Sequence, residues 1–556
     1  MIAIVKKSAC ALAASLALST LLVACGGGGE DPAPKANSAG ATPLSLTLEK
    51  IGGFDGNAAG AAEITAFDAA SKRLFVVNGA NGTVDVLDLS DPANPTQVGS
   101  ITVSGLGGAA VNSVAVHEGL VALAIESTPK TSPGKVAFYN ASDLTLLSSV
   151  TVGAQPDMLT FTPDGLRVLV ANEGEPLDYT TPGNDPEGSV SVILVNRGGN
   201  PYVSTADFRQ FNGQEDTLRS QGIRIYGPGA SAAQDFEPEY ITISEDGSTA
   251  YVTLQENNAV AVVDIARATV TAVRPLGWKD HSIAGYGLDP SDEDGGSNTN
   301  SGSAKVQIVT APVRGMYLPD AIASYKVGGK TYLVTANEGD ARADWPGFNE
   351  ETRVRSHCST GLDPTVFTDA ANLIFDSNLG RLRITTSPNG GVGYTGKNDA
   401  GQCTELWAFG ARSFSIWDAS GANLTRVYDS GDAFERDTQN LPNVKFNASN
   451  DNNTEDGRSA SKGPEPEGVT LGTIGQKTYA FVGLERVGGV MVYDITDPAN
   501  AKFETYLNTR EGDTGDRGPE GLTFVPAAKS PNGKPLLIVG NEVSGTTTVM
   551  QLNLTY

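Results

Sequence analysis

The sequence predicts an all-β fold, a seven-bladed β-propeller whose ring is closed by an N-terminal strand in the last blade. Three observations predict it: a strand motif that repeats along the chain, a hairpin before each copy, and an apolar strand near the N-terminus without a hairpin partner. Short strands in repeated units that cannot bury both faces alone are typical of propellers.

The repeated motif is an alternating strand that ends in a turn rich in Asp, Pro and Asn. Residues 84–94 (VDVLDLSDPAN) and 490–500 (VMVYDITDPAN) show it most clearly. Similar strands lie at 135–139, 190–195, 260–265, 414–417 and 546–552, which makes seven units. A hairpin precedes each strand, and the clearest one runs over 157–172.

The last unit supplies three strands before the chain reaches Tyr556, and the strand 44–54 has no partner of its own. We therefore expect 44–54 to complete the last blade of a propeller domain over 44–556, so that no sheet edge stays open. The spacing between units is uneven, and the excess is predicted to be polar loop rich in Gly, Asp, Asn and Ser. These insertions cover 196–236, 277–318, 343–411 and 431–464.

The N-terminus predicts export and a lipid anchor. A short basic region and the apolar run 9–24 are typical of a signal peptide, here over 1–24. Residues 22–25 (LVAC) resemble the lipobox of bacterial lipoproteins, which implies a lipid on Cys25 and a flexible tether over 25–43. Gly26 after this cysteine, with no Asp there, resembles lipoproteins sent to the outer membrane, which implies a lipoprotein facing the periplasm or the cell surface. The alternative is an ordinary signal peptide with a chance cysteine.

Charge and cysteines narrow the partners. The whole chain has a net charge of −25, and removing 1–24 leaves 37 basic and 64 acidic side chains, or −27. This charge disfavours nucleic acid and anionic lipid and attracts cations, so we expect membrane contact through the lipid anchor only. A small anion, a polymer or a protein all stay open as partners. Cys358 and Cys403 remain as an even pair in an oxidising compartment, so they are predicted to form a disulfide. The alternative, a metal site, is disfavoured because with His357 they would offer only three ligands.

Acidic residues recur at equivalent positions of the units. The first strand of nearly every unit starts with an acid, often after Pro, and the second strand ends with another, so that twelve of fourteen positions are Asp or Glu. The first unit has Glu63 and Asn78, and the second has Asn112 and Glu126. The predicted cation ligands are Asp157, Glu173, Glu239, Glu256, Asp320, Glu338, Glu467, Glu485, Glu520 and Glu542.

In an antiparallel hairpin the start of the first strand lies beside the end of the second. The first strand of a blade lines the central channel, so all these positions should converge on one mouth of it. Unpaired carboxylates there repel one another, and calcium, a hard cation that takes several oxygen ligands, relieves the repulsion. The alternative is that the acids face water or pair with arginines. Arg314, Arg342, Arg486 and Arg517 are the candidates for that pairing. Arg342, Arg486 and Arg517 are also the candidates for binding an anionic ligand or phosphate.

A further acidic stretch, 447–458 (NASNDNNTEDGR), precedes the sixth unit. Its spacing does not match an EF-hand, so we predict a solvated loop that hangs over the same mouth.

Six motifs together resemble the choice-of-anchor I family: 156–157 (PD), 171–176 (ANEGEP), 319–320 (PD), 336–342 (ANEGDAR), 463–468 (GPEPEG) and 518–521 (GPEG). That family is related to the mesenchyme-specific cell-surface glycoproteins. The resemblance implies a propeller displayed on the cell exterior by one of several anchors, here the lipid on Cys25. Some members are labelled alkaline-phosphatase-like, and the Pro-Glu-Gly elements are similar to those of phytase-like propellers, which use Ca²⁺ in the channel.

Two functions follow from these features. The first is a propeller of the cell envelope that binds a divalent cation, calcium, and has a binding or adhesion role. The second is a calcium-dependent phosphoester hydrolase, in which a metal-bound water attacks phosphorus and an arginine steadies the phosphoryl group. The chain has no Gly-x-Ser-x-Gly motif, and its histidines, His117, His281 and His357, are scattered, which disfavours a zinc hydrolase. No catalytic residue is assigned.

Overall fold

The computed structural model describes residues 41–297, 302–343, 345–387 and 395–556. The predicted signal peptide, Cys25 and nearly all of the predicted tether lie outside the described residues.

The described chain is built mainly of antiparallel strands, which begin with β1 (Ser45–Asp55). Runs of alternating or continuous Val, Leu, Ile and Ala form these strands because branched side chains pack well on a pleated surface. The next strands are β2 (Thr65–Asp68), β3 (Arg73–Asn78), β4 (Thr83–Asp88), β5 (Thr96–Thr102), β6 (Ala110–His117), β7 (Leu120–Glu126), β8 (Pro133–Asn140), β9 (Leu146–Ala154), β10 (Pro156–Phe161), β11 (Arg167–Asn172), β12 (Ser189–Leu194), β13 (Tyr202–Asp207), β14 (Pro238–Ile243), β15 (Thr249–Leu254), β16 (Ala259–Asp264) and β17 (Thr269–Pro275).

The second half of the chain continues with shorter strands and a few short helices. Its strands are β18 (Trp278–Asp280), β19 (Arg314–Met316), β20 (Ile322–Val327), β21 (Lys330–Ala336), β22 (Glu351–Arg353), β23 (Arg383–Thr385), β24 (Trp407–Ala408), β25 (Phe414–Asp418), β26 (Thr425–Asp429), β27 (Pro466–Ile474), β28 (Lys477–Leu484), β29 (Val490–Asp494), β30 (Lys502–Leu507), β31 (Arg510–Glu511), β32 (Thr514–Gly515), β33 (Pro519–Val525), β34 (Leu536–Asn541) and β35 (Thr546–Thr555). The α-helices are α1 (Glu215–Ser220), α2 (Ala232–Asp235), α3 (Val354–His357), α4 (Ala370–Leu373) and α5 (Ala433–Thr438), and 3₁₀ turns lie at Ser104–Leu106 and Arg209–Phe211. Among the described residues, no helix has the length and apolar composition that crossing a membrane requires.

The described residues form seven four-stranded sheets. In chain order these are β2–β5, β6–β9, β10–β13, β14–β17, β20-β21-β25-β26, β27–β30 and β33-β34-β35-β1. The N-terminal strand joins the last sheet, as expected from the sequence, because β1 pairs antiparallel with β35 from Ser45 opposite Thr555 to Asp55 opposite Thr546.

The first strands of the seven sheets contact one another in succession. Strand β2 contacts β6, β6 contacts β10, β10 contacts β14, β14 contacts β20, β20 contacts β27 and β27 contacts β33. Strand β33 of the last sheet also contacts β2 of the first. The starts of these strands therefore face a common interior.

Glycines let the last sheet approach its neighbours closely. A Cβ atom on Gly540 would lie 1.8 Å from the carbonyl oxygen of Glu63, and one on Gly521 would lie 2.5 Å from it. A Cβ on Gly468 would likewise lie 2.1 Å from the carbonyl oxygen of Glu520. The backbones at Glu63 and Glu520 thus lie so close to an adjacent sheet that a side chain on the facing residue would not fit.

The apolar core lies between successive sheets. Val84 and Val86 of the first sheet pack with Val121 and Leu123 of the second. The same kind of layer joins the last sheet to the first, where Ile538 packs in one buried cluster with Leu74 and Val76. Burial of these apolar faces stabilises the stacking of the sheets.

The insertions contain more regular structure than the predicted polar loops. Strand β13, the fourth of its sheet, lies within 196–236, and α5 lies within 431–464. The insertions 277–318 and 343–411 together form one five-stranded sheet in the order β18-β19-β24-β23-β22. The strands of this five-stranded sheet are only two or three residues long, and each pairs with a strand distant in sequence. Composition alone does not reveal such pairing.

The predicted disulfide between Cys358 and Cys403 is confirmed, with a Cα–Cα distance of 5.6 Å. Both cysteines are buried in an apolar cluster that includes Leu362, Phe367 and Ile384. The disulfide therefore fastens the third insertion at its own small core.

Candidate cation site at the channel mouth

A β-bulge recurs where the first strand of a sheet begins. In the third sheet Pro156 lies opposite Asn172, but the next pair is Leu159 and Val170, so two residues oppose one. A bulge interrupts the alternation of a strand and re-aims a side chain. Glu239, Glu467 and Glu520 lie in bulges of the same two-for-one kind in their sheets. Asn112 lies at a register shift between Val111 and Ser113.

These strand starts surround a cavity of about 40 Å³ on the common interior. Its lining comes from, or lies within two residues of, the first strand of every sheet: Ile64, Asn112, Ser113, Asp157, Met158, Tyr240, Asp320, Gly468 and Glu520. We call this cavity the central channel, and its volume is large enough for a water molecule or a cation.

Six acids at the starts of the first strands, which we call the inner acids, are Glu63, Asp157, Glu239, Asp320, Glu467 and Glu520. Burial and neighbouring carboxylates raise the pKa of Glu63 to about 8 and that of Asp157 to about 7. Burial and nearby acids also raise the pKa of the other four well above the ordinary range. The carboxylates of Glu63, Glu542, Asp320 and Asp157 all act on Glu520, so the inner acids face one another across the channel.

The inner acids lack compensating partners. Among the described residues, none of the six forms an ion pair with Lys or Arg. Glu239, Glu467 and Glu520 each have a buried Oε2 atom with no hydrogen-bond partner. Buried carboxylates without partners are costly, so the inner acids must hold protons or bind a cation.

A second layer, the outer acids, lies at the ends of the second strands: Glu126, Glu173, Glu256, Glu338, Glu485 and Glu542. Amide side chains donate hydrogen bonds to some of the outer acids. Gln255 Nε2 donates to Glu338 Oε2 at 2.8 Å, and Asn450 Nδ2 donates to Glu485 Oε1 at 2.7 Å. Burial nevertheless raises the pKa of Glu256 and of Glu485 to about 8. Asn450 belongs to the stretch 447–458, so that stretch does reach the mouth, as predicted from the sequence.

One side of the mouth carries basic side chains, among them Lys462, which the sequence did not reveal, and Arg486, which it did. Carboxylate oxygens of Glu338, Glu465 and Glu485 lie within 4.8 Å of one another. Lys462 Nζ lies 3.2 Å from Glu338 and 3.3 Å from Glu465, and Arg486 Nε lies 3.0 Å from Glu465. Burial opposes ionisation of Glu465, but Lys462, Arg458 and Arg486 lower its pKa to about 2. Sequence reasoning did not select Glu465, although its place between Pro464 and Pro466, two residues before the predicted ligand Glu467, was an available indication.

The three predicted arginines have different surroundings. Arg342 is buried, with Nη1 2.8 Å from Asp235 and Nη2 2.9 Å from Glu237. Arg486 is paired with Glu465 and Glu485, the latter also at 3.0 Å. Arg517 Nη1 donates to the carbonyl of Asn450 at 3.1 Å, while its buried Nε has no partner. Two of the three guanidinium groups are therefore engaged by carboxylates rather than presented to a ligand.

Two curated proteins are similar to this chain. Gigasin-3a of Magallana gigas is 28% identical over 195 residues, which cover 32% of this chain and 66% of gigasin-3a. The mesenchyme-specific cell surface glycoprotein of Strongylocentrotus purpuratus is 28% identical over 335 residues, which cover 54% of this chain and 41% of that protein. The chain thus matches just under two thirds of the first relative and less than half of the second.

Solved structures resemble the chain only weakly. Kuenenia stuttgartiensis hydrazine synthase has a TM-score of 0.45 and 14% identity, with 89% of this chain and 96% of that chain covered. The β-propeller domain of Myceliophteria thermophila Cps50 (Swd1) has a TM-score of 0.43 and 8% identity, with 91% and 99% covered. Similarities at this level carry no functional inference.

The family comparison is more direct. The choice-of-anchor I domain matches residues 63–498. This range includes the first strands of the first six sheets, both layers of acids in those sheets, and the disulfide. Because this match spans most of the sequence, the chain belongs to the choice-of-anchor I family.

Proposed function

We propose that this protein is a cell-surface binding or adhesion protein that holds a divalent cation among the inner acids. The observation that carries the proposal is the set of six inner carboxylates, which face one another without a cationic side chain among the described residues. Membership of a choice-of-anchor family and the similarity to a cell surface glycoprotein support the location at the cell surface.

Calcium fits the inner acids best. It takes six to eight oxygen ligands at about 2.3–2.6 Å and tolerates irregular geometry, whereas magnesium requires a near-ideal octahedron. Asp157, Asp320 and Glu520 line one cavity and offer carboxylate oxygens from three sheets. A divalent ion among them would offset the repulsion that raises their pKa values.

The same proposal gives the seven sheets a role as the blades of one closed propeller. The contact of β33 with β2, the apolar layer between the last sheet and the first, and the place of β1 beside β35 support closure. A closed ring would hold the inner acids at fixed positions, because their strands could not spread apart without breaking that last contact.

Calorimetric titration of the mature chain, residues 25–556, with CaCl₂ after treatment with EGTA tests the proposal. We expect heat of binding at pH 7 and release of protons, seen as a dependence of that heat on the ionisation enthalpy of the buffer. For each proton displaced, the apparent affinity should rise by up to about tenfold per pH unit. The absence of both heat and a calcium-induced shift in melting temperature would overturn the cation proposal.

The anchor is tested separately. We propose that a lipid on Cys25 attaches the mature chain to the outer membrane, with 25–43 as the tether. In a bacterial host with an outer membrane, the variant Cys25→Ser should lose incorporation of labelled palmitate and should leave the membrane fraction. Retention of label and of membrane association by Cys25→Ser would contradict the lipid anchor.

The surroundings of the arginines favour binding over phosphoryl transfer. A calcium-dependent phosphoester hydrolase needs cationic groups free to meet a phosphate. Arg342 contacts Asp235 and Glu237, and Arg486 contacts Glu465 and Glu485, so both guanidinium groups already have anionic partners. We therefore assign no catalytic step to the channel mouth.

A further inference from the structure

Three buried carboxylates from two insertions meet at a place that is not part of the inner or outer acids. Asp289 and Asp294 belong to the insertion 277–318, and Asp456 belongs to the insertion 431–464. One carboxylate oxygen of each lies within 4.8 Å of the others. Their exposed fractions are 0%, 8% and 0%, so the prediction of a solvated loop is wrong for Asp456.

Several oxygens of this group have no hydrogen-bond donor. Both Oδ atoms of Asp294 and Oδ2 of Asp456 are buried without a hydrogen-bond partner. Burial raises the pKa of both residues, and the backbone of Lys305 offsets only part of that rise. The other oxygens are held in place, since the backbone amide of Gln307 donates to Asp289 and the hydroxyl of Ser459 donates to Asp456. The group thus combines carboxylates that are held by hydrogen bonds from Gln307 and Ser459 with buried oxygens that have no donor.

The local charge is not balanced by protein groups. A fourth buried acid, Glu435, acts on Asp289 and Asp456. Arg412 Nη1 lies 2.6 Å from Glu435, and the exposed Lys305 directs its Nζ to Gln307 at 2.9 Å. Four carboxylates therefore face two cationic side chains, and one divalent cation would bring the sum to zero. Buried charge without such compensation is strongly unfavourable.

Burial and the neighbouring acids raise the pKa of Asp289 to about 8 and that of Asp456 to about 7. Asn447, whose Nδ2 donates to Glu435 at 2.7 Å and to Ser459 at 2.8 Å, has a buried Oδ1 without a partner. Asn447 is thus linked through Ser459 to Asp456, and its neutral amide oxygen is a donor of the kind that calcium accepts.

We propose that Asp289, Asp294 and Asp456 bind a calcium ion that fastens the second insertion to the fourth. The site is independent of the channel, because its ligands come from segments outside the first two strands of every sheet. Its role is structural: calcium joins two long segments, the second of which contacts Glu485 at the mouth through Asn450.

Hydrogen exchange of the mature chain in CaCl₂ and in EGTA tests this site directly. We expect amides within 285–310 and 444–460 to exchange on the order of tenfold more slowly in calcium. The variant Asp294→Asn/Asp456→Asn should lose this protection together with about one bound calcium per chain. Asp451→Asn, an exposed residue of the same insertion, is the matched control and should behave as the unmodified protein.

Equal exchange of these segments in calcium and EGTA by the unmodified chain would overturn the proposal, whatever the variants do. Unchanged protection in Asp294→Asn/Asp456→Asn would overturn it as well. The channel variant Asp157→Asn/Asp320→Asn should keep the protection at 285–310, which separates failure of this site from failure of the channel site.

Discussion

Replacing Asp157 and Asp320 by asparagine is expected to abolish most of the calcium-dependent rise in melting temperature that the channel provides. Both side chains line the central cavity, and each contributes to the raised pKa of Glu520. Asparagine keeps their shape but removes two charges, so the variant attracts calcium less and repels its neighbours less. The calcium-free variant should therefore be more stable at pH 8 than the calcium-free unmodified protein.

The sign of this effect follows from the pKa shifts. In the fold, Glu63 has a pKa of about 8 against its usual 4.5, and Asp157 has a pKa of about 7 against its usual 3.8. Between the usual pKa and the raised pKa of each group, the folded chain binds more protons than the unfolded chain. The free energy of unfolding therefore falls as pH rises. The contribution is complete below about pH 4 and is lost as the pH rises through about 7 for Asp157 and about 8 for Glu63, with a magnitude on the order of 4 kcal/mol for each group.

Thermal unfolding at pH 5, 6, 7 and 8, in EGTA and in CaCl₂, measures this prediction. The unmodified protein should lose stability with rising pH only in EGTA, and calcium should restore it most at pH 8. Asp216→Asn serves as the control, because the Asp216 side chain is 100% exposed and belongs to α1 rather than to a strand that carries an inner acid. If the double variant kept the full calcium response, the inner acids would not be the ligands.

Removing the guanidinium of Arg342 with Arg342→Met is expected to lower the free energy of unfolding by about 3–5 kcal/mol. The substitution would leave the buried carboxylates of Asp235 and Glu237 without their cationic partner. It would also remove the hydrogen bond that Arg342 Nη2 donates to the carbonyl of Asp235 at 2.7 Å. Urea unfolding at pH 7 measures the effect.

A matched surface ion pair provides the control for Arg342. Arg209 lies 2.6 Å from Glu187, but its side chain is 67% exposed. Exposed ion pairs contribute little because water and salt screen them, so Arg209→Met should cost less than about 1 kcal/mol. If both variants lost the same small amount, the Arg342 network would not stabilise the fold as described.

The repeat, the N-terminal strand and the acid positions could be predicted from the sequence because each depends on local pattern. The hairpin of 157–172 has alternating residues and a Pro-Asp-Gly turn, and both signals act over a few neighbours. Antiparallel pairing then places Asp157 and Glu173 at the same end of the sheet. The convergence of the acids follows from topology rather than from any one contact.

The β-bulges and the distant contacts could not be predicted in this way. The two-for-one pairing that holds Asp157 depends on register, which a single strand sequence does not reveal. Lys462 and Glu338 lie 124 positions apart, so their proximity requires the whole fold. Asp456 meets Asp289 only because two insertions fold against each other, and composition alone suggested a solvated loop.

The most direct test of the channel proposal is an anomalous difference map from crystals of the mature chain grown with CaCl₂ and measured at long wavelength. The proposal predicts a peak in the central cavity, with carboxylate oxygens of Asp157 and Asp320 about 2.3–2.6 Å from it. A peak at Asp289, Asp294 and Asp456 would be a separate result. An empty cavity lined by the same inner acids at saturating calcium would contradict a cation in the channel.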